Sequence, residues 1–152
     1  MRTRLAHLAG TAVLVTGVLC AGAGLVSGTP VTLYDNYTAG DGHFSTGWEI
    51  GLGISVAMPF TPGIDAYLDS VTLSLAFGDG PNILDVAIHE DATGLPGAVL
   101  EALHLVEGIP SGPYPPIVLD SVLTPLLVSG HQYWLSAHAD PRRVSCGPGR
   151  PA

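Results

Sequence analysis

Glycine and proline interrupt this chain so often that a long helix has nowhere to form. There are 20 glycines and 13 prolines in 152 residues, and both residues break helix interiors. Between the interruptions the apolar residues alternate. Val71, Leu73, Leu75 and Phe77 are interleaved with Thr72, Ser74 and Ala76, the period of two that marks a strand with one buried face. After a turn at Gly78-Asp79-Gly80-Pro81 the pattern repeats, with Leu84, Val86 and Ile88 against Asp85, Ala87 and His89. Residues 91–97 hold the turn-formers Asp91, Gly94, Pro96 and Gly97 and reverse the chain. Residues 99–106 return it, with Leu103 and Leu105 the expected inward pair and a short helix as the alternative. Residues 132–138 set Tyr133, Leu135 and Ala137 on one face and Trp134, Ser136 and His138 on the other. Shorter strands are expected at 31–34, within 48–60 and at 117–121. Such spacing predicts an all-β fold, an antiparallel β-sandwich of jelly-roll-like form.

The charges are distributed unevenly. Charged residues make up 12% of the chain, against about a quarter in an ordinary soluble domain. There is no lysine, and the five arginines are Arg2, Arg4, Arg142, Arg143 and Arg150. All thirteen Asp and Glu lie between Leu5 and Pro141, where no permanent cation exists. That excludes an arginine clamp for phosphate and a Schiff-base lysine from this region. Nucleic acid is not an expected partner, since its affinity rests largely on Lys and Arg contacts to phosphates. Polysaccharide, other surface proteins and calcium remain compatible with the charge.

Residues 1–28 have the form of a secretory signal peptide. Arg2 and Arg4 provide a positive start, residues 8–19 an apolar stretch of about a dozen residues, and Ala21-Gly22-Ala23 or Val26-Ser27-Gly28 a small-residue cleavage site. The stretch is short for a membrane span. Cys20 raises the lipoprotein alternative, but Leu19 is bulky where a small residue is usual. Cleavage would leave Cys146 as the sole cysteine, so no intramolecular disulfide is expected. Residues 29–140 form the expected sandwich domain, secreted and without a membrane span once the signal is cleaved. Residues 141–152, with three arginines and three prolines, read as a disordered tail. Asn36-Tyr37-Thr38 matches a glycosylation sequon, a pattern common by chance.

Three stretches carry a family resemblance. They are Leu68-Asp69-Ser70-Val71-Thr72-Leu73-Ser74-Leu75, the hairpin Val86-Ala87-Ile88-His89-Glu90-Asp91 with Gly94-Leu95-Pro96-Gly97 and Leu100, and Leu126-Leu127-Val128-Ser129-Gly130-His131-Gln132-Tyr133-Trp134-Leu135. Over residues 31–139 the chain resembles the bacterial exported choice-of-anchor domains of the R type, often found with a PEP-CTERM sorting signal. The resemblance implies a β-sandwich at the bacterial cell surface or in the extracellular matrix, and no assigned activity. Such domains usually continue past the Tyr-Trp-Leu strand into further strands and an anchor. The change of character at Pro141 therefore leads to the expectation of a sandwich incomplete at its C-terminal end.

His89 and Asp91 would share a strand face and could supply two metal ligands, with His104 or His138 as an unplaced third. The simpler reading puts His89 on the solvent face and gives Asp91 an Asx hydrogen bond in the turn. Asp79, Asn82 and Asp85, or Asp35 and Asp41, offer loop oxygens of the kind calcium takes, although no EF-hand pattern is present. The simpler reading there is solvated loop acids. The weak metal candidates are thus His89, Asp91, Asp79 and Asp85. No Gly-x-Ser-x-Gly elbow occurs. Glu49, Glu90, Glu101 and Glu107 are raw material for a glycosidase pair, as in any acidic β-domain. Among the aromatics, Trp134, Trp48 and Tyr114, with Tyr37 and Tyr67, could stack on sugar rings. For Trp134 a place in the core is the competing reading. The sequence thus points to an exported, non-catalytic domain of structural or adhesive role. A carbohydrate-binding module is the alternative, and a secreted hydrolase ranks behind it.

Overall fold

The computed structural model describes residues 4–7, 13–18, 30–35, 48–51, 53–80, 82–111 and 116–139. Among them are eleven strands and no helix: β1 (Arg4–His7), β2 (Val13–Val18), β3 (Pro30–Asp35), β4 (Trp48–Ile50), β5 (Ile54–Phe60), β6 (Ala66–Phe77), β7 (Ile83–Asp91), β8 (Pro96–Val106), β9 (Pro116–Asp120), β10 (Leu126–Leu127) and β11 (Tyr133–Ala139). They form two sheets. The front sheet has the order β1-β5-β11-β7-β8. The back sheet is built on β6, which pairs with β2, β4, β9 and β10, while β3 lies beyond β2. The pairings are antiparallel except β1 with β5 and β4 with β6.

The expected alternation sets the register. Strand β11 runs antiparallel to β7 with Leu135 opposite Ile88 and Ala137 opposite Val86, so the inward residues of the two strands meet. Val56, Met58 and Phe60 of β5 extend the same apolar face. From the back sheet Val15, Leu33, Val71, Leu73, Leu75, Ile117, Leu119 and Leu127 pack onto it, forming one continuous core. Each such side chain, when fully buried, contributes roughly 1.5–3 kcal/mol. The architecture is an all-β sandwich, as the alternation predicts. Residues 99–106 are part of β8, a strand, and the helix alternative is not adopted.

Two local devices keep the apolar residues inward. Strand β6 begins five residues before the alternation is evident, and Ala66 and Leu68 are buried on even positions while Val71, Leu73 and Leu75 are buried on odd ones. A bulge reconciles the two phases: against β2 the register passes from Gly17–Leu68 to Thr16–Ser70, leaving Asp69 unpaired. At the β7–β8 hairpin, Thr93 and Gly94 both take positive φ, 56° and 85°. A two-residue loop of primed type requires that handedness. Ala92 N donates to Leu95 O across the loop at 2.8 Å.

The sheets are also tied by a carboxylate. Glu101 of β8 points inward and is only 1% exposed. Its Oε1 accepts from the Val122 and Leu123 amides at 2.5 and 2.9 Å, and its Oε2 from the Ser121 hydroxyl at 2.5 Å. Those donors sit in the turn between β9 and β10, so a front-sheet residue fixes a back-sheet connection. Glu101→Ala leaves two part-buried amides and a hydroxyl without their acceptor, and the expected destabilisation is about 1–3 kcal/mol. Urea denaturation measures it, and a loss below about 0.5 kcal/mol would contradict the clamp.

Candidate functional site

The densest polar cluster lies on the outer face of the front sheet, where the hairpin end of β7 meets β11. The alternation that sends Leu84, Val86 and Ile88 inward sends Asp85 and His89 outward. Likewise Trp134, Ser136 and His138 leave the core face of β11. The register brings them together, pairing His89 with Trp134 and Asp85 with His138.

Asp91 is the hub. Its Oδ1 accepts from Trp134 Nε1 at 2.7 Å, from Gln132 Nε2 at 2.8 Å and from the Gly94 amide at 3.1 Å. The last is the Asx-type turn bond expected of Asp91. The Trp134 indole first, then the Gly94 amide, hold the Asp91 carboxyl below its usual pKa, with Gln132 and the Thr93 amide adding to them and desolvation opposing. His89 is engaged on both ring nitrogens. The Gly97 carbonyl, 3.2 Å from Nδ1, can only accept, so Nδ1 carries a proton; Nε2 lies 2.8 Å from the Ser136 hydroxyl. His89 and Asp91 do share a face, but their polar atoms fasten the hairpin to β11.

The other metal candidates lie apart. Asp85 sits in a row across three strands, between His104 of β8 and His138 of β11. Its Oδ1 bonds His104 Nδ1, and its Oδ2 lies 3.6 Å from His138 Nε2. His104 and His138 therefore find their partner in Asp85, not in His89 and Asp91; only the strand register reveals it. Asp79 follows β6, with its carboxylate over Gly51, where a Cβ would come within 2.1 Å of Oδ1. Among the described residues no group of three or more His, Cys, Asp or Glu side chains is placed to hold a metal ion.

Trp134 faces outward from the core yet is only 2% exposed. Its ring, pinned through the indole N–H to Asp91, offers no open face for a sugar. Trp48 contributes its backbone to β4, paired with Leu75. Tyr114, Tyr37 and residues 141–152 lie outside the described residues. Sequence reasoning passed over the depression beside the cluster, of about 300 Å³ and lined by Glu90, Asp91, His131, Gln132 and Tyr133. It offers carboxylate, imidazole and amide groups, suited to hydrogen bonding. Of the glycosidase candidates, Glu101 has both oxygens occupied in the clamp described above.

Compared with protein-family models, curated proteins and solved structures, the chain gives no match.

Folding lowers the Asp91 pKa, so its stabilising effect is full above the unfolded carboxylate value and is lost as the pH falls through the lowered folded value. Asp91→Asn is expected to melt below the parent at pH 7. The gap narrows on acidification below pH ~4, as the parent carboxylate protonates. Thermal melts across pH 2–7 test this, and a gap independent of pH would exclude a role for the charge.

Proposed function

We propose that this chain is an exported, non-catalytic β-sandwich domain of the bacterial cell surface or extracellular matrix, with a structural or adhesive role. One observation carries the reading. The side chains best equipped for chemistry are engaged in holding strands and turns: Asp91 and His89 at the hairpin, Glu101 between the sheets, Asp85 between two histidines. The leader pattern of residues 1–28 and the lack of Lys and Arg between Leu5 and Pro141 support it. So does the resemblance to choice-of-anchor domains, which are often found with a PEP-CTERM sorting signal. Among the described residues no helix is long and apolar enough to cross a membrane.

Production of the tagged full chain in a bacterial host tests export. The product is expected outside the cytoplasm with its N-terminus just after Ala23 or Gly28. Cytoplasmic product still beginning at Met1 would refute it.

The depression at Glu90 and Gln132 favours a second reading, carbohydrate binding through hydrogen bonds instead of ring stacking. Screening against a glycan array would show saturable binding that Glu90→Ala weakens at least tenfold. Absence of any glycan signal would leave the scaffold reading alone.

A further inference from the structure

The back sheet contains one position filled by a segment that also reads as the apolar part of the leader. Strand β2 lies between β3 and β6, antiparallel to both. Against β6 it runs from Val13 opposite Leu73 to Val18 opposite Tyr67; against β3 it runs from Leu14 opposite Asp35 to Val18 opposite Pro30. Val15 is completely buried, opposite the equally buried Val71. Among the described strands, β3 has no other partner. Taking β2 away strips β3 of its ladder and bares the edge of β6 from Tyr67 to Leu73. An open edge above apolar residues is a template for another strand.

We propose that the gap between β3 and β6 is a strand-acceptor slot. Residues 13–18 occupy it while the leader is attached. Once the leader is removed, it takes an extended apolar segment donated by another polypeptide at the cell surface. This second step rests on the export reading given above; the slot itself does not. Main-chain hydrogen bonds on both sides of the incoming strand supply affinity, and the buried point opposite Val71 supplies selectivity. A β-branched apolar residue fits there and a charge is rejected. The chain's own residues 141–152 are poor donors, because Pro141, Pro148 and Pro151 leave no run longer than six residues between them, and that run begins with Arg142 and Arg143.

The experiment uses the full chain with a specific protease site introduced within residues 19–29. After folding and cutting, the fragment carrying residues 13–18 is expected to stay bound through gel filtration. A fluorescent peptide of residues 1–19, which carries β1 as well as β2, should then replace it saturably, and the Val15→Asp peptide should compete at least tenfold less well. Release of the fragment on cutting, with an unchanged melting temperature, would show that residues 13–18 are no part of the sheet and overturn the proposal. Retention without exchange, even after transient mild denaturation, would make β2 a permanent strand and overturn it equally. Neither result depends on the exported N-terminus, so failure of the slot and failure of the export reading are told apart.

Discussion

Thirteen carboxylates share the stretch between Leu5 and Pro141 with not one lysine or arginine. Carboxylates that take part in the fold there must find neutral donors or histidine. Glu101 uses two backbone amides and a hydroxyl. Asp91 uses an indole, a primary amide and a backbone amide. Asp65 takes the Ser129 amide at 2.7 Å, joining the start of β6 to the turn before β11. Bonds of this kind are directional and short in reach, whereas ion pairs act at longer range and weaken with salt. The joints between elements therefore depend on strand register, because only the correct register brings donor and acceptor within 3 Å.

The same constraint shapes the outer face of the front sheet. In a cation-rich protein Asp91 and His89 would be free to face a ligand while arginines secured the hairpin. Here they do the securing. Trp134 is pinned by the bond it donates to Asp91, and His89 bridges the β8 backbone and β11. These polar groups become part of the scaffold, and the surface left over carries uncompensated acids such as Glu49 and Glu107 and exposed aliphatics such as Val118 and Val122, beside the depression at Tyr133.

Period-two alternation exposed β7, β11 and the second half of β6, because in each of these stretches one face is apolar and local sequence decides it. The hairpin turn was equally plain, since Asp91 and Gly94 act within a few residues of each other. What stayed hidden was non-local. The bulge at Asp69 exchanges the two faces of β6, and only pairing with β2 shows where. Glu101 occupies an inward position that alternation would give to an apolar residue, and its partners lie 20 to 22 residues further on. The His104–Asp85–His138 row needs two strand registers at once. Residues 13–18 show a deeper ambiguity: an apolar run suits a membrane-inserting leader and a central strand alike, because both environments select against charge.

The turn fixed by Glu101 has a consequence for proteolysis. Among the described residues its Val122 and Leu123 are the most exposed large aliphatics, at 82% and 66%. A protruding apolar dipeptide is ordinarily where a secreted protease begins, by drawing the chain out straight into its cleft. This one cannot be drawn out without tearing two amides and a hydroxyl from a buried carboxylate. Thr124, just beyond it, is curled into the left-handed region with φ of 46°. Enzymes that cut after lysine or arginine find no such residue between Leu5 and Pro141. The clamp and the missing cations together work against cleavage at this turn.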